Sequence, residues 1–487
     1  MYCAGTNLIR QMEKESVAGG VPEYELMRRA GIQAARWIND RFPDAARVVI
    51  LCGGGNNGGD ALVAAAYLRH REVIIYSTKE KSAFSGCAAC AVRDLPEKIP
   101  FIVRKTLSEA DFFSGDIIVD GLLGIGFCGK ELRSDVQSFI KAANSSNLPV
   151  ISLDLPSGIN ADTGEAAVNG AVRAHTTLTF GRPKSGLFTG DGAQLRGGLR
   201  ILDIGLTDVA GTAGREIFSN FEAEKIVPRH RLDVHKNSRG KVAVWAGSAK
   251  YPGAAVLCSH GALKAGAGMV RCASEADLSS RLCQAVIFEQ LSPGGIPEDI
   301  FSVSDVLVCG CGWGNTGSVA ALRAVLDFPG KVVLDADALN FIAGHPEVWQ
   351  KRNDVIITPH PKEAERLLLG FGMALSESRI KNAVMLASET GAVTLLKGRD
   401  TVVASPDGRA VTIAAGNPLL ATAGSGDVLA GVIGAQAAQG LSAVDAAMLG
   451  AYVHDIAAER ADGILTADEM PGIISHIMVK LQNNRII

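Results

Sequence analysis

Aromatic residues make up only 5% of this 487-residue chain, while glycine occurs 55 times. Scarce aromatics with abundant glycine, alanine and valine are the profile of α/β proteins with many tight strand-to-helix turns. The formal net charge is only −3, which excludes a general attraction to nucleic acid or to anionic membranes. Long apolar runs are also missing, so no segment reads as a membrane span. The opening Met1-Tyr2-Cys3-Ala4-Gly5-Thr6-Asn7 lacks the basic-then-apolar order of a secretory signal. Ten cysteines are scattered without a framework, and the Cys87-Ala88-Ala89-Cys90 pair has no second pair or histidine near it. Free thiols in a reducing cytoplasm are the expectation.

The length exceeds what one core comfortably fills, so two domains are expected. Arg47 to Cys52, Glu72 to Tyr76, Asp116 to Asp120, Val150 to Asp154 and His175 to Phe180 read as strands, with helices at Asp60 to His70 and Leu132 to Ser146. Strands apolar throughout and alternating with helices indicate a parallel sheet covered on both faces. Around Asp208 to Gly214 the composition turns small and polar, and the basic stretches Arg229-His230-Arg231 and His235-Lys236-Asn237 follow. The seam falls here, giving domains over 1–214 and 223–487. The alternation then restarts with strands at Lys241 to Ala246, Asp305 to Val308, Lys331 to Asp335, Val355 to Thr358 and Val393 to Leu396. Helices are expected at Gly253 to Ala267, Val428 to Gln439 and Ala443 to Arg460. The halves share an architecture class but no repeated motif, which points to a fusion rather than a duplication.

What the chain does have is two glycine-rich turns that end in aspartate. The first is Gly53-Gly54-Gly55-Asn56-Asn57-Gly58-Gly59-Asp60 and the second Ala423-Gly424-Ser425-Gly426-Asp427. Each follows an apolar segment and opens a helical pattern, so backbone N–H groups and the positive helix end would face a bound anion. Two such turns imply two active sites. In the first half, Asp120 and Asp154 stand at carboxyl ends of strands, where parallel sheets bind ligands. The turns after them, Gly121 to Lys130 and Leu155-Pro156-Ser157-Gly158, could bring amides to phosphates. Gly124-x-Gly126-x-x-Gly129 is weak alone, and it lacks the acidic residue a dinucleotide fingerprint wants about 20 residues on. Asn57, Asp120 and Ser157 could complete an all-oxygen site for a hard monovalent cation.

The Gly-Asn-Asn-Gly-Gly-Asp loop, the Asp120-Gly121 turn, Asp154-Leu155-Pro156-Ser157-Gly158 and the leading Glu25 to Gly31 helix together resemble the NAD(P)H-hydrate epimerase family. The resemblance implies a Rossmann-like fold, interconversion of the epimers of hydrated NADH or NADPH, and a bound potassium ion. It assigns Asn56, Asn57, Gly58, Gly59 and Asp60, with Gly124, Ile125, Gly126, Phe127, Cys128, Gly129 and Lys130, to the dinucleotide. Asn57, Asp120 and Ser157 would hold potassium, and Asp154 would be the acid/base at the hydrated ring. Glu23-Tyr24 and Arg28-Arg29 stand where that family usually has a small residue and an acidic-asparagine pair.

In the second half, Gly424-Ser425-Gly426-Asp427 resembles the ribokinase-like superfamily, in which the glycines admit backbone amides to a transferring phosphate and the aspartate takes the hydroxyl proton. Tyr251 to Ala255, Gly310 to Gly314, Thr358 to Glu363 and Lys397 to Thr401 all follow strands, so their loops should converge on one rim. As a set they are similar to the ADP-dependent NAD(P)H-hydrate dehydratases. That resemblance puts Ala254, Gly312, His360 and Asp427 on the hydrated dinucleotide, and Lys397, Gly398, Arg399, Asp400, Thr401 and Gly426 on ADP. Asp427 would activate the substrate hydroxyl, with magnesium bridging nucleotide oxygens. His360 reads equally as a cap of the helix opened by Pro361.

The leading expectation is a bifunctional repair enzyme that epimerises hydrated NAD(P)H and dehydrates the S form with ADP, giving AMP and phosphate. The partners it implies are hydrated NADH or NADPH and ADP, with no nucleic acid or membrane. Because both fold types commonly self-associate, a homo-oligomer is expected. The competing reading makes the second domain a small-molecule kinase and the first a nucleotide sensor; a third leaves the first half a non-catalytic interaction module. A kinase would release a stable phosphate ester, a dehydratase inorganic phosphate and an NADH-like chromophore.

Overall fold

A computed structural model describes residues 2–45, 47–68, 71–209, 214–229, 239–314, 317–398, 400–414, 418–461 and 463–483. They divide into two compact units, Tyr2–Glu216 and Ile217–Ile487. The basic residues at the seam, from His230 to Asn237, lie outside the described residues, as does Arg399.

The first unit is built on seven parallel strands. Across the sheet they run Phe101–Val103, Glu72–Ser77, Arg47–Cys52, Ile117–Gly121, Val150–Leu153, Thr176–Phe180 and Gly198–Leu202. In chain order this is 3-2-1-4-5-6-7, the doubly wound arrangement, with its reversal between Arg47–Cys52 and Ile117–Gly121. The alternation of side chains explains why Val48 to Cys52 is apolar throughout. Val48, Ile50 and Cys52 enter one core layer, Val49 and Leu51 the other, and all are fully buried. Helices Thr6–Ala18 and Glu23–Arg41 precede the sheet, and Tyr2–Cys3 pairs antiparallel with Arg215 and Glu216.

The second unit repeats the scheme. Its sheet runs Ala410–Ile413, Val402–Ala404, Val393–Leu396, Val355–Ile357, Lys331–Leu334, Val306–Cys309, Lys241–Trp245, Met269–Ser274 and Val286–Gln290. The strands from Val393–Leu396 to Val286–Gln290 are parallel; the two beyond Val393–Leu396 are antiparallel. Read from the other edge the chain order again begins 3-2-1-4-5, with the reversal between Lys241–Trp245 and Val306–Cys309. Val242 and Val244 face one core layer and Ala243 and Trp245 the other. Among the described residues no helix is long and apolar enough to cross a membrane, and all ten cysteines are free.

One boundary differs instructively from expectation. Helix Asn56–Tyr67 begins four residues before Asp60, so the Asn-Asn-Gly-Gly segment is the first helical turn rather than a loop. The reason is contact. A Cβ on Gly58 would overlap the Gly53 carbonyl, and one on Gly59 would strike Met27. The glycines let the helix seat tightly on its neighbours, which outweighs their poor helix propensity.

Candidate active sites

In the first unit the turns after Arg47–Cys52 and Ile117–Gly121 meet at the reversal point. There the carboxylate of Asp120, fully buried, is encased. It accepts from the Ser157 hydroxyl at 2.5 Å, Ser152 Oγ at 2.8 Å, Ser157 N at 2.9 Å and Leu122 N at 3.2 Å. Burial pushes its pKa up, opposed by these hydrogen bonds. Leu123 N donates to Ser157 Oγ at 2.8 Å, and Asn57 Nδ2 donates to Leu123 O at 2.8 Å. Asn57 Oδ1 is buried with no partner. Asn57, Asp120 and Ser157 are thus brought into one network with an oxygen left to satisfy.

Beside it opens a cavity of about 690 Å³. Asn56, Asn57, Asp60, Gly124 to Gly129 and Asp154 line it; Gly58, Gly59, Lys130, Asp120 and Ser157 do not. The Lys130 carbonyl is engaged by Val168 N at 2.9 Å. Asp154 follows strand Val150–Leu153 with φ 64°, a left-handed conformation that aspartate tolerates better than most residues. It forms an ion pair with Lys184, whose side chain is 2% exposed. The Lys184 ammonium also donates to Phe180 O at 2.9 Å. Asp60 and Glu13 line the same cavity. Burial first, and then the Asp154 charge, raises both carboxyl groups above their ordinary values, and for Asp60 well above. The Lys184 ammonium opposes the shift at both, and Arg10 adds to it at Glu13. Lys184 and Glu13 escaped sequence reasoning, since neither belongs to a motif; Lys184 is marked only by its place just after a strand. Of the departures on the second helix, Glu23 lines the cavity and Arg28 is paired with Glu25 at 2.7 Å.

In the second unit the strand-end loops gather a different set. Asp335, directly after Lys331–Leu334, accepts from Lys397 Nζ at 2.6 Å and from Thr358 Oγ1 at 2.9 Å, both on Oδ1. Its Oδ2 lies 4.0 Å from Cys311 Sγ. Cys311 Sγ and carboxylate oxygens of Asp335 and Asp427 all lie within 4.8 Å of one another. Asp427 sits in the first turn of helix Ser425–Ala438. Burial, then the charge of Asp335, pushes its carboxyl up to about 7, with the Cys311 contact and Lys397 opposing. Gly426 adjoins this cluster: a Cβ there would lie 3.3 Å from Lys397 Nζ. Asp337 binds Gly314 N at 2.8 Å and ties two of the loops together. Ala336 between the two aspartates is held at φ 51°, a strained conformation of the kind that collects at functional sites.

Ala254 and Gly312 meet at the reversal point of this sheet. A Cβ on Gly312, whose φ is 61°, would strike Ala254 Cβ. His360 caps helix Pro361–Gly370, its Nδ1 accepting from Lys362 N at 3.2 Å while Glu363 Oε2 accepts from His360 N at 2.8 Å. Burial and the neighbouring Lys397 and Arg366 lower its pKa. The capping reading of His360 is thus realised in the structure. Gly398, Asp400 and Thr401 form a turn braced by Arg379, which donates to Lys397 O at 2.9 Å, and by Thr401 Oγ1 on Gly398 O at 3.0 Å. Lys397 itself faces Asp335 rather than open solvent. Asp335 and Asp337 were missed as site residues, although Asp335 ends a strand as Asp120 and Asp154 do and the same rule applies to it.

Comparison with known proteins follows the division into two units. Residues 242–476 match the NAD(P)H-hydrate dehydratase family model, and residues 23–186 match that of the YjeF-related protein N-terminus. A bifunctional NAD(P)H-hydrate repair enzyme of Coxiella burnetii is 35% identical over 486 residues, covering 95% of this chain and 96% of the relative. One of Escherichia coli K12 is 35% identical over 471 residues, covering 93% of this chain and 88% of the relative. A solved ribokinase-like superfamily protein of Enterococcus faecalis superposes with a TM-score of 0.51 at 21% identity, covering 57% of this chain and all of that one. That likeness establishes a ribokinase-like fold in this chain.

Proposed function

The chain belongs to the family of bifunctional NAD(P)H-hydrate repair enzymes, and from that membership we propose that its first unit interconverts the R and S epimers of hydrated NADH and NADPH while its second dehydrates the S form. The dehydration consumes ADP and yields AMP and phosphate. One structural fact carries the residue assignment: Asp154 and Asp427 each stand at a strand-end cluster holding a lysine–aspartate ion pair.

In the first unit the hydrated dinucleotide occupies the 690 Å³ cavity, with Asn56, Asn57, Asp60 and the Gly124 to Gly129 turn against its phosphates and ribose. Epimerisation breaks and remakes a bond at the hydroxyl-bearing carbon, and Asp154 holds and returns the proton while Lys184 fixes its carboxylate. The orphaned Asn57 Oδ1, with the oxygens of Asp120 and Ser157, fits a hard monovalent cation such as potassium. When bound, that ion would offset the buried negative charge of Asp120.

In the second unit Ala254, Gly312 and His360 border the substrate. Lys397, Gly398, Arg399, Asp400, Thr401 and Gly426 attend the nucleotide. Water is a poor leaving group at neutral pH, and phosphorylation of the hydroxyl makes departure possible. Asp427 takes the hydroxyl proton, and the Gly424 to Gly426 amides at the helix start face the transferring phosphate. Magnesium would enter with the nucleotide and neutralise phosphate charge; the carboxylates of Asp335 and Asp427 are oxygen donors that suit it. Cytoplasmic residence and self-association complete the reading, the latter checked by light scattering.

The test is absorbance of regenerated NADH when the purified chain acts on mixed-epimer hydrated NADH with magnesium, potassium and ADP. Complete conversion is expected. Accumulation of a stable phosphate ester without an NADH signal would replace the dehydratase with a kinase.

A further inference from the structure

The Cys311, Asp335 and Asp427 cluster is the one group among the described residues whose ligand atoms converge as a metal site would require. Magnesium does not use thiols, so Cys311 is foreign to the cation that a nucleotide brings. We infer that this cluster is also a thiophilic metal site, sharing the two carboxylates offered to magnesium: Cys311 Sγ, Asp335 Oδ2 and an Asp427 oxygen bind Zn²⁺, or Co²⁺ and Cd²⁺ in its place.

The geometry is close to what such an ion needs. With Zn–S about 2.3 Å and Zn–O about 2.0–2.2 Å, tetrahedral ligands stand roughly 3.5 Å apart. The Cys311 sulfur and Asp335 Oδ2 are already at 4.0 Å. Lys397 and Thr358 both occupy Asp335 Oδ1 and leave Oδ2 turned to the sulfur. Three protein ligands leave one position open, as in zinc sites that take an exogenous ligand. Two further observations point the same way. Cys258, a second buried free thiol, neighbours Cys311 and adds another soft group near the cluster. Among the described residues the cluster carries two carboxylates against the ammonium of Lys397, and a divalent cation would relieve that excess. Cys311 and Asp335 are buried while Asp427 is only partly so, and it opens the cluster to solvent.

Binding is an exchange: the Cys311 S–H bond is lost, an S–metal bond forms, and the thiol proton leaves to solvent, together with the Asp427 carboxyl proton where that group is protonated. No electrons move. An ion so held would occupy the oxygens that Asp427 offers the substrate and that Asp335 and Asp427 offer magnesium, so Zn²⁺ would inhibit the dehydratase in competition with both the hydrated dinucleotide and magnesium. That consequence rests on the proposed function, whereas the binding itself does not.

The experiment is a Co²⁺ titration of the metal-stripped full-length protein, read by sulfur-to-cobalt charge-transfer absorption. Saturation at one equivalent is expected, with the band absent in Cys311→Ser, at least tenfold weaker binding in Asp335→Asn, and no change in Cys87→Ala/Cys90→Ala. Circular dichroism and thermal melting verify that each variant folds. Absence of the band in the wild type, or its survival in Cys311→Ser, overturns the site. A second arm follows NADH regeneration by the wild type at fixed magnesium while Zn²⁺ is added and then chelated. Reversible inhibition supports the site's location. A Cys311-dependent band without inhibition leaves the metal site standing and counts against Asp427 as the base.

Discussion

Both units end parallel strands in a lysine–aspartate pair, the lysine buried in the first and half-buried in the second, yet the pairs are wired differently. In the first, Lys184 contacts Asp154, the residue proposed to handle the proton. In the second, Lys397 contacts Asp335, a neighbour, and Asp427 is left facing that neighbour's charge. The same two residue types therefore have opposite consequences. One lysine anchors the working carboxylate, and the other anchors the carboxylate that raises its partner toward neutrality. Where a cation is placed decides more than whether it is present.

The sharpest way to break this comparison is to remove each working acid. Asp427→Asn should cut NADH regeneration on the order of 10²–10⁴-fold and leave epimerisation intact. Asp154→Asn should do the reverse, giving a fast phase that stops near the S-epimer fraction. Both are read by absorbance, and loss of both activities in either variant would end the separation of roles. Next come the lysines. Lys184→Met leaves a buried carboxylate unpaired and should cost about 3–5 kcal/mol in urea unfolding, with Lys397→Met similar. A cost near zero would mean that the pairs do not hold the sites.

A finer test concerns pH. Asp427 titrates near 7, so dehydration should rise with pH through that value, and Asp335→Asn should move the acidic limb downward by about one unit, roughly tenfold in rate at pH 6. An unmoved limb would refute the coupling. The smallest effect is on stability. The Asp427 carboxyl is raised in the folded chain from an ordinary 3.8, so the stability linked to it is lost as pH rises through about 7. Asp427→Asn should therefore stabilise the protein by about 1–3 kcal/mol at pH 8, after allowance for its partial exposure, with the gain shrinking toward pH 4. Thermal melts at both pH values check the sign.

Much of the fold was legible because the central strands are buried on both faces. Arg47–Cys52 and Val393–Leu396 stand where the apolar runs place them. The strands that escaped notice are shorter, more polar or more exposed. Gly198–Leu202 is an edge strand with residues turned to solvent, and Met269–Ser274 carries Arg271 within it. The site was legible where chemistry follows a motif, as at Asp427, or a rule, as at Asp154. It was not legible where a residue acts through a fold contact alone. Lys184 reaches Asp154 from the turn after the neighbouring strand Thr176–Phe180, a proximity that no spacing within the chain encodes, and Glu13 arrives from a helix before the sheet begins. The shared 3-2-1-4-5 strand order was likewise invisible, since the units carry no common motif.

The left-handed turn at Asp154 has one more consequence, for how this site would be lost. Few residues occupy that conformation at low cost, and glycine and asparagine are chief among them. A descendant that no longer needed the first activity could exchange Asp154 for asparagine and keep the turn, with an amide oxygen still facing Lys184, whereas glycine would keep the turn but leave the buried Lys184 ammonium without its counter-charge. Retirement of the site would then be written in a single letter of the sequence, while the outline of the molecule stayed that of a working enzyme.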